Sequence, residues 1–248
     1  MPTHAPTFPC TAILTGHSRG LGAAIAATLL ERGIPVLALS RSGNPELMNH
    51  PLLTEVAVDL GDAVALGHWL ETPDLEAFVG ETVPLLINNA GTVAPIGPLG
   101  TQDPLQLVQA VTLNVTAPLL LANALIAALP PEHPVRILHV SSGAARNPYP
   151  GWAVYCATKA ALDHHARTVQ ADAQAGLRIA SIAPGVVDTD MQAAIRGTDR
   201  SLFPMLDRFT ALKESGALTA PQAAAARLVD YLLGDGFGAD PTPDIRSL

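Results

Sequence analysis

Short apolar runs alternate with longer stretches of helical periodicity along this chain. Cys10–Thr15, Pro35–Ser40, Leu85–Asn88, Ile137–Val140 and Arg178–Ala183 are compact, apolar and partly β-branched, the pattern of strands buried on both faces. Between them, Ala23–Arg32, a long apolar stretch from Pro104 to Leu129, and the segment around Tyr155 and Lys159 read as helices. Strand–helix alternation of this kind predicts an α/β fold with a doubly wound, Rossmann-like parallel sheet. Residues 1–248 contain no repeat, low-complexity block or linker, so a single domain is expected. The proline-rich opening, residues 1–9, reads as a loose arm. Residues 185–218, rich in Met191, Ile195, Leu202, Phe203, Met205, Leu206 and Phe209, read as a substrate lid. The end from Asp240 is expected to cap the substrate side or meet another subunit.

Composition narrows the function classes. The chain is 48% hydrophobic and 15% charged, enough apolar content to cover both faces of such a sheet. Its net charge of −8, without a lysine/arginine cluster, argues against a nucleic-acid surface. Val115–Leu129 is short for a membrane span and contains Pro118 and Asn123, so a helix buried against the sheet or a partner subunit is expected. No basic segment followed by an apolar core opens the chain, and Cys10 and Cys156 both sit in apolar surroundings. A cytoplasmic protein with reduced thiols is the expectation.

Three places carry chemistry. The first strand runs into Gly16-His17-Ser18-Arg19-Gly20-Leu21-Gly22 and then a helix. Such a turn lets backbone approach a pyrophosphate, while the helix N-terminus offers free N–H groups and a positive dipole end. The spacing Gly-x-x-x-Gly-x-Gly differs from the common dinucleotide fingerprint. At the end of the second strand stand Ser40 and Arg41, with no acidic residue to accept a ribose 2′-hydroxyl. Arg41, with Arg19 from the turn, suits a 2′-phosphate and so NADPH/NADP+. Tyr155 and Lys159 are four residues apart on one helix face, and Ser142 lies thirteen residues before Tyr155. An ammonium beside a phenol lowers its pKa, which makes the pair an acid/base device for a carbonyl–alcohol interconversion, with a serine to hold the oxygen.

Together with Asn88-Asn89-Ala90-Gly91, Asn114 and Pro184-Gly185-Val186-Val187-Asp188-Thr189, these motifs resemble the short-chain dehydrogenase/reductase family over almost the whole chain. The resemblance implies Asn114, Ser142, Tyr155 and Lys159 as a catalytic tetrad, and hydride transfer at the nicotinamide. It implies cofactor contacts from Gly16, Ser18, Arg19, Gly20, Leu21, Gly22, Ser40, Arg41, Asp59, Leu60, Asn89, Ala90, Gly91, Tyr155, Lys159, Pro184, Gly185, Val187 and Thr189. Asn114 is expected to hold a water that relays protons to Lys159, and a homodimer or homotetramer is implied. A narrower likeness, in Gly151-Trp152-Ala153-Val154-Tyr155-Cys156, Asp188–Gln192 and Leu212–Leu218, is to sepiapterin reductases and bacterial benzil reductases. It implies NADPH-dependent reduction of ketones or vicinal dicarbonyls. Asp244 matches the aspartate that anchors pterin, although Pro241 and Pro243 disturb the local pattern; Tyr149, Trp152 and Met191 are candidate substrate walls, with Ser142. His164 and His165 point in different directions on the helix, which places them at solvent or an interface; no metal is expected. A non-catalytic NADP(H)-binding redox sensor and an NAD-dependent alcohol dehydrogenase are the alternatives.

Overall fold

The computed structural model describes residues 8–248. Six strands form one parallel sheet: β1 (Cys10–Thr15), β2 (Val36–Ser40), β3 (Leu53–Ala57), β4 (Val83–Asn88), β5 (Val135–Val140) and β6 (Leu177–Ile182), in the order β3-β2-β1-β4-β5-β6. β1 pairs with both β2 and β4, so the winding reverses there and opens a crevice beyond the strand C-termini. The helices are α1 (Gly20–Glu31), α2 (Ala63–Leu70), α3 (Asp74–Val79), α4 (Pro104–Val111), α5 (Ala117–Ala127), α6 (Ala153–Ala171), α7 (Asp190–Arg196), α8 (Leu206–Glu214) and α9 (Pro221–Leu233).

Strand residues alternate between two apolar layers. Leu14, Ala38 and Ile87 meet Ile25 and Leu29 of α1 and Leu228 and Leu232 of α9 on one face. Ile13, Leu37 and Leu86 meet Leu121 and Leu125 of α5 and Ala166 of α6 on the other. Each such buried Leu or Ile stabilises by about 2 kcal/mol, which is why the strands read as unbroken apolar runs. Asp62 caps α2 by accepting from the amides of Val64 and Ala65, and Asp103 caps α4 from Gln106.

Four details differ from expectation. Helix α1 begins at Gly20, within the glycine turn, three residues before the apolar pattern starts. The long helix from Pro104 is interrupted at Thr112–Thr116 by a turn of π-helix. By length and apolarity the 24 residues Pro104–Ala127 could cross a membrane, yet Leu121 and Leu125 are packed in the core beneath the sheet. Residues 1–7 lie outside the described part, but Phe8 and Pro9 are not loose: Arg136 stacks over the Phe8 ring at 4.7 Å and Val83 N–H donates to the Pro9 carbonyl.

The chain end joins the sheet. Pro241 and Pro243 carbonyls accept from the amides of Ser181 and Ala183, at 2.8 and 3.1 Å, and Ile245 N–H donates to the Ala183 carbonyl. Pro243 accepts through its carbonyl but cannot donate back to β6, so this short ladder is incomplete. Residues 241–245 thereby reach the same end of the sheet as the crevice.

Candidate active site

The glycine turn is fixed by the residues across from it. Thr15 Oγ1 accepts from the amides of Asn89 and Ala90, both at 3.0 Å, and Asn89 Nδ2 donates to the carbonyls of Thr15 and Gly16. Gly16 has φ of +74°, and a Cβ there would meet Ala90 Cα at 3.0 Å. Asn89 thus acts as a buckle between β4 and the turn, and its amide hydrogens are committed to protein. Arg19 stands at the N-cap of α1 and supplies no side-chain cap, leaving the first helical amides for a ligand. A Cβ on Gly20 would come within 3.3 Å of Thr189 Cγ2, so Thr189, from the loop of residues 184–189 after β6, reaches the turn. Ser18 and Leu21 complete the turn, half-buried. A phosphate-bearing cofactor fits this uncapped, glycine-lined cradle.

The end of β2 is more heavily wired than the sequence suggests. Ser40 Oγ donates to the Ser42 carbonyl at 2.6 Å and lies 3.3 Å from His17 Nδ1, so its hydroxyl faces inward. Buried His17 pairs through Nε2 with Glu55 of β3 at 2.5 Å, and Glu55 also accepts from Asn44 N–H. Neither His17 nor Glu55 stood out in the sequence, since the two are 38 positions apart. Arg41 is exposed beside this cluster. Arg19 is 75% exposed and its Nε lies 3.8 Å from Asp190 at the start of α7. Asp59 accepts from Gly61 N–H at 2.8 Å and so closes a turn, with Leu60 buried next to it.

Asn114, Ser142, Tyr155 and Lys159 converge where β4 and β5 end. A Cβ on Gly91 would meet Asn114 Oδ1 at 3.2 Å and Lys159 Nζ at 3.5 Å, which places all three together. The π turn carries Asn114 inward, a distortion common at functional sites. Its amide hydrogens are committed: Nδ2 donates to the Thr92 carbonyl and Thr158 Oγ1, while Oδ1 accepts from Thr92 N–H. Ser142 Oγ accepts from Ala144 N–H at 3.1 Å, and its hydroxyl turns toward the Tyr155 phenol.

Tyr155 is buried, and burial pushes its phenol up to about 12, against a smaller opposing effect of the Ser142 hydroxyl. The expected depression by Lys159 is absent. Lys159 Nζ sits 5.8 Å from the Tyr155 ring centre and donates to the Val140 carbonyl at 2.8 Å. Burial in turn lowers Lys159 to about 8, with nearby Asp163 pulling the other way. Near neutrality the phenol is protonated and the ammonium charged.

The substrate side differs from its reading. Trp152 is 4% exposed, stacked on Phe203 with ring centres 4.6 Å apart and flanked by Phe209 at 5.2 Å, so it braces Tyr155 from behind. Tyr149 and Met191 are half-buried at the edge of the same cluster. Asp244 is doubly held by Arg246, at 2.8 and 2.6 Å, and that hydrogen bonding lowers it to about 2. It is not a free anchor. Asp188 pairs with Lys213 at 2.6 Å, closing the loop over the α8 end. His165 is not a solvent residue: its Nδ1 lies 3.1 Å from Nε2 of buried His139, which burial pushes down to about 3.

A parallel sheet with a switch point, an uncapped glycine turn and Ser142 set beside buried Tyr155 and Lys159 define a nicotinamide-dependent oxidoreductase of the Rossmann type. The short chain dehydrogenase family profile matches residues 10–200, and the chain belongs to that family. It is 38% identical over 228 residues to a benzil reductase ((S)-benzoin forming) of Bacillus subtilis (strain 168), covering 89% of this chain and 92% of that protein. It is 36% identical over 243 residues to a sepiapterin reductase of Meriones unguiculatus, covering 91% and 92% respectively. A solved short-chain dehydrogenase/reductase from Burkholderia vietnamiensis is 47% identical, with a TM-score of 0.69 over 99% of this chain and 100% of that one.

Proposed function

We propose that this protein is an NADPH-dependent carbonyl reductase acting on a ketone or vicinal dicarbonyl, the chemistry its benzil- and sepiapterin-reducing relatives are named for. The observation that carries the proposal is the gathering of Ser142, Tyr155 and Lys159 beside the uncapped start of α1. When bound, the dihydronicotinamide supplies the hydride. Ser142, whose hydroxyl already faces the Tyr155 phenol, donates to the substrate oxygen. Tyr155 starts protonated, as a phenol held up at about 12 must, and gives its proton to the oxygen as charge grows there. Lys159 remains cationic below about pH 8, favours the phenolate that results, and suits the ribose hydroxyls. Asn114 is the place for a water that returns a proton to this set.

Arg41, exposed at the end of β2 with no carboxylate on that strand, supports a 2′-phosphate and hence NADPH over NADH. The half-buried rims of Tyr149 and Met191 against the Trp152–Phe203–Phe209 cluster support an aryl-bearing carbonyl. Turnover of benzil, other diketones, aryl ketones and sepiapterin with NADPH and with NADH tests the reading. Reduction of an aryl dicarbonyl, faster with NADPH, is expected. Tight NADPH binding with no turnover of any carbonyl would instead favour a redox sensor.

A further inference from the structure

One buried carboxylate is not used by the reaction above. Asp163 lies one turn beyond Lys159 on α6, which itself lies one turn beyond Tyr155, so the three share a helix face. Asp163 is 1% exposed, and a carboxylate there is costly unless fully paired. Its Oδ1 accepts from Ser141 Oγ at 2.6 Å and Ser181 Oγ at 2.8 Å, and its Oδ2 from Arg146 Nε at 2.9 Å. Ser141 and Arg146 bracket Ser142: one precedes it just beyond β5, the other ends the short turn Gly143–Ala145 that Ser142 caps. Arg146 also donates to the Ser181 carbonyl at 3.4 Å. That carbonyl lacks its ladder partner because Pro243 has no N–H, and Arg146 reaches the Pro243 carbonyl as well, at 3.3 Å. Each group that pairs with the Asp163 carboxylate, Ser141, Arg146 or Ser181, lies on the Ser142 segment or on β6 beside it, so a role in placing the site accounts for the buried charge.

We propose that Asp163, paired with Arg146, is a positioning residue that grips both ends of the Ser142 segment and sets the charge beside Lys159. The proposal rests on the Ser142–Tyr155–Lys159 reading of the site. Lys159 is faced by Tyr155 and Asp163 along α6, by His139 from β5 and by Asn114 from the π turn; His139 is in turn paired with His165. Asp163 is faced by Arg146, Ser141 and Ser181, and Asp244 of the tail acts on Arg146 from the far side. Asp163 opposes the downward push of burial on Lys159.

The chain has two lysines, Lys159 and Lys213, so 13C-labelled lysine gives two side-chain signals, which Lys213→Arg assigns. Titrating Lys159 in this way needs neither substrate nor turnover. Asp163→Asn is expected to lower the Lys159 midpoint, and Arg146→Met to raise it, each by about one pH unit. If Asp163→Asn fails to fold, Arg146→Met carries the test alone. Ser141→Ala keeps the charge and is expected to cut kcat several-fold with the lysine midpoint unmoved. Midpoints unmoved in both charge variants, or parent kcat in Ser141→Ala, would overturn the proposal. Absence of carbonyl turnover by the parent enzyme would sink the reductase reading instead, and leaves the lysine titration standing.

Discussion

Lys159→Met is expected to abolish reduction while raising stability at neutral pH. Burial holds the Lys159 ammonium at about 8, against 10.5 for a lysine in water. Between those two values the unfolded chain binds a proton that the folded chain does not, so stability rises with pH across that window. Below about 8 both states are charged, and the folded state bears the whole cost. At about 1.4 kcal/mol per pH unit the gap amounts to roughly 3 kcal/mol. Methionine fills similar space without charge, but gives up the charge-assisted hydrogen bond to the Val140 carbonyl, about 2 kcal/mol. The net gain is about 1 kcal/mol, or roughly 2–4 °C in Tm for a domain of this size. Unfolding of parent and variant should be compared at about pH 7 and at about pH 10.5, where the methionine advantage should vanish or reverse. A variant less stable than the parent at neutral pH, or a difference indifferent to pH, would refute the reasoning.

Tyr155→Phe removes the proton donor and should lower kcat by about 10²–10⁴-fold, with NADPH affinity by fluorescence titration nearly unchanged. Arg41→Ala should raise KM for NADPH about tenfold or more while leaving KM for NADH within about twofold, as loss of one charge-assisted phosphate contact requires. Gly22→Ala places a methyl 1.9 Å from the Gly16 carbonyl and 2.5 Å from Asn89 Nδ2, so folding yield or cofactor affinity should collapse. Phe203→Ala empties the space behind Trp152, and urea unfolding should show a loss of about 3–5 kcal/mol.

The sheet and its winding were legible because apolar strands are local signals. The residues Asn114, Ser142, Tyr155 and Lys159, named from a family resemblance, do come together in the fold. What escaped depends on contacts between distant residues. The π turn at Asn114 leaves no mark in an apolar helix, since Thr112–Thr116 is as compatible with an ordinary turn. Trp152 read as a substrate wall because a sequence shows an aromatic near the catalytic tyrosine, not the Phe203 that stacks on it from 51 positions away. The electrostatics of Tyr155 failed for a related reason: a helix wheel gives Lys159 as its neighbour but not the burial that outweighs it. Asp244 matched an anchor position, and only the folded tail reveals Arg246 already bound to it. His165 found its partner 26 positions away on β5, beyond any local pattern.

The tail strand also decides where the sheet stops. An exposed β edge with free donors and acceptors invites another chain to pair with it, the usual start of aggregation. Here the outward amide of Thr242 is taken by Asp240 Oδ1 at 2.8 Å, and the outward carbonyl of Asp244 by Ser247 N–H at 2.9 Å. The charged Asp244–Arg246 pair sits on the same short segment. Without residues 240–247, β6 would present its full flank, including the Ser181 and Ala183 amides that now bond to the tail. A truncation there is thus a route to insoluble protein as well as to a damaged site, because those few residues close an otherwise adhesive border.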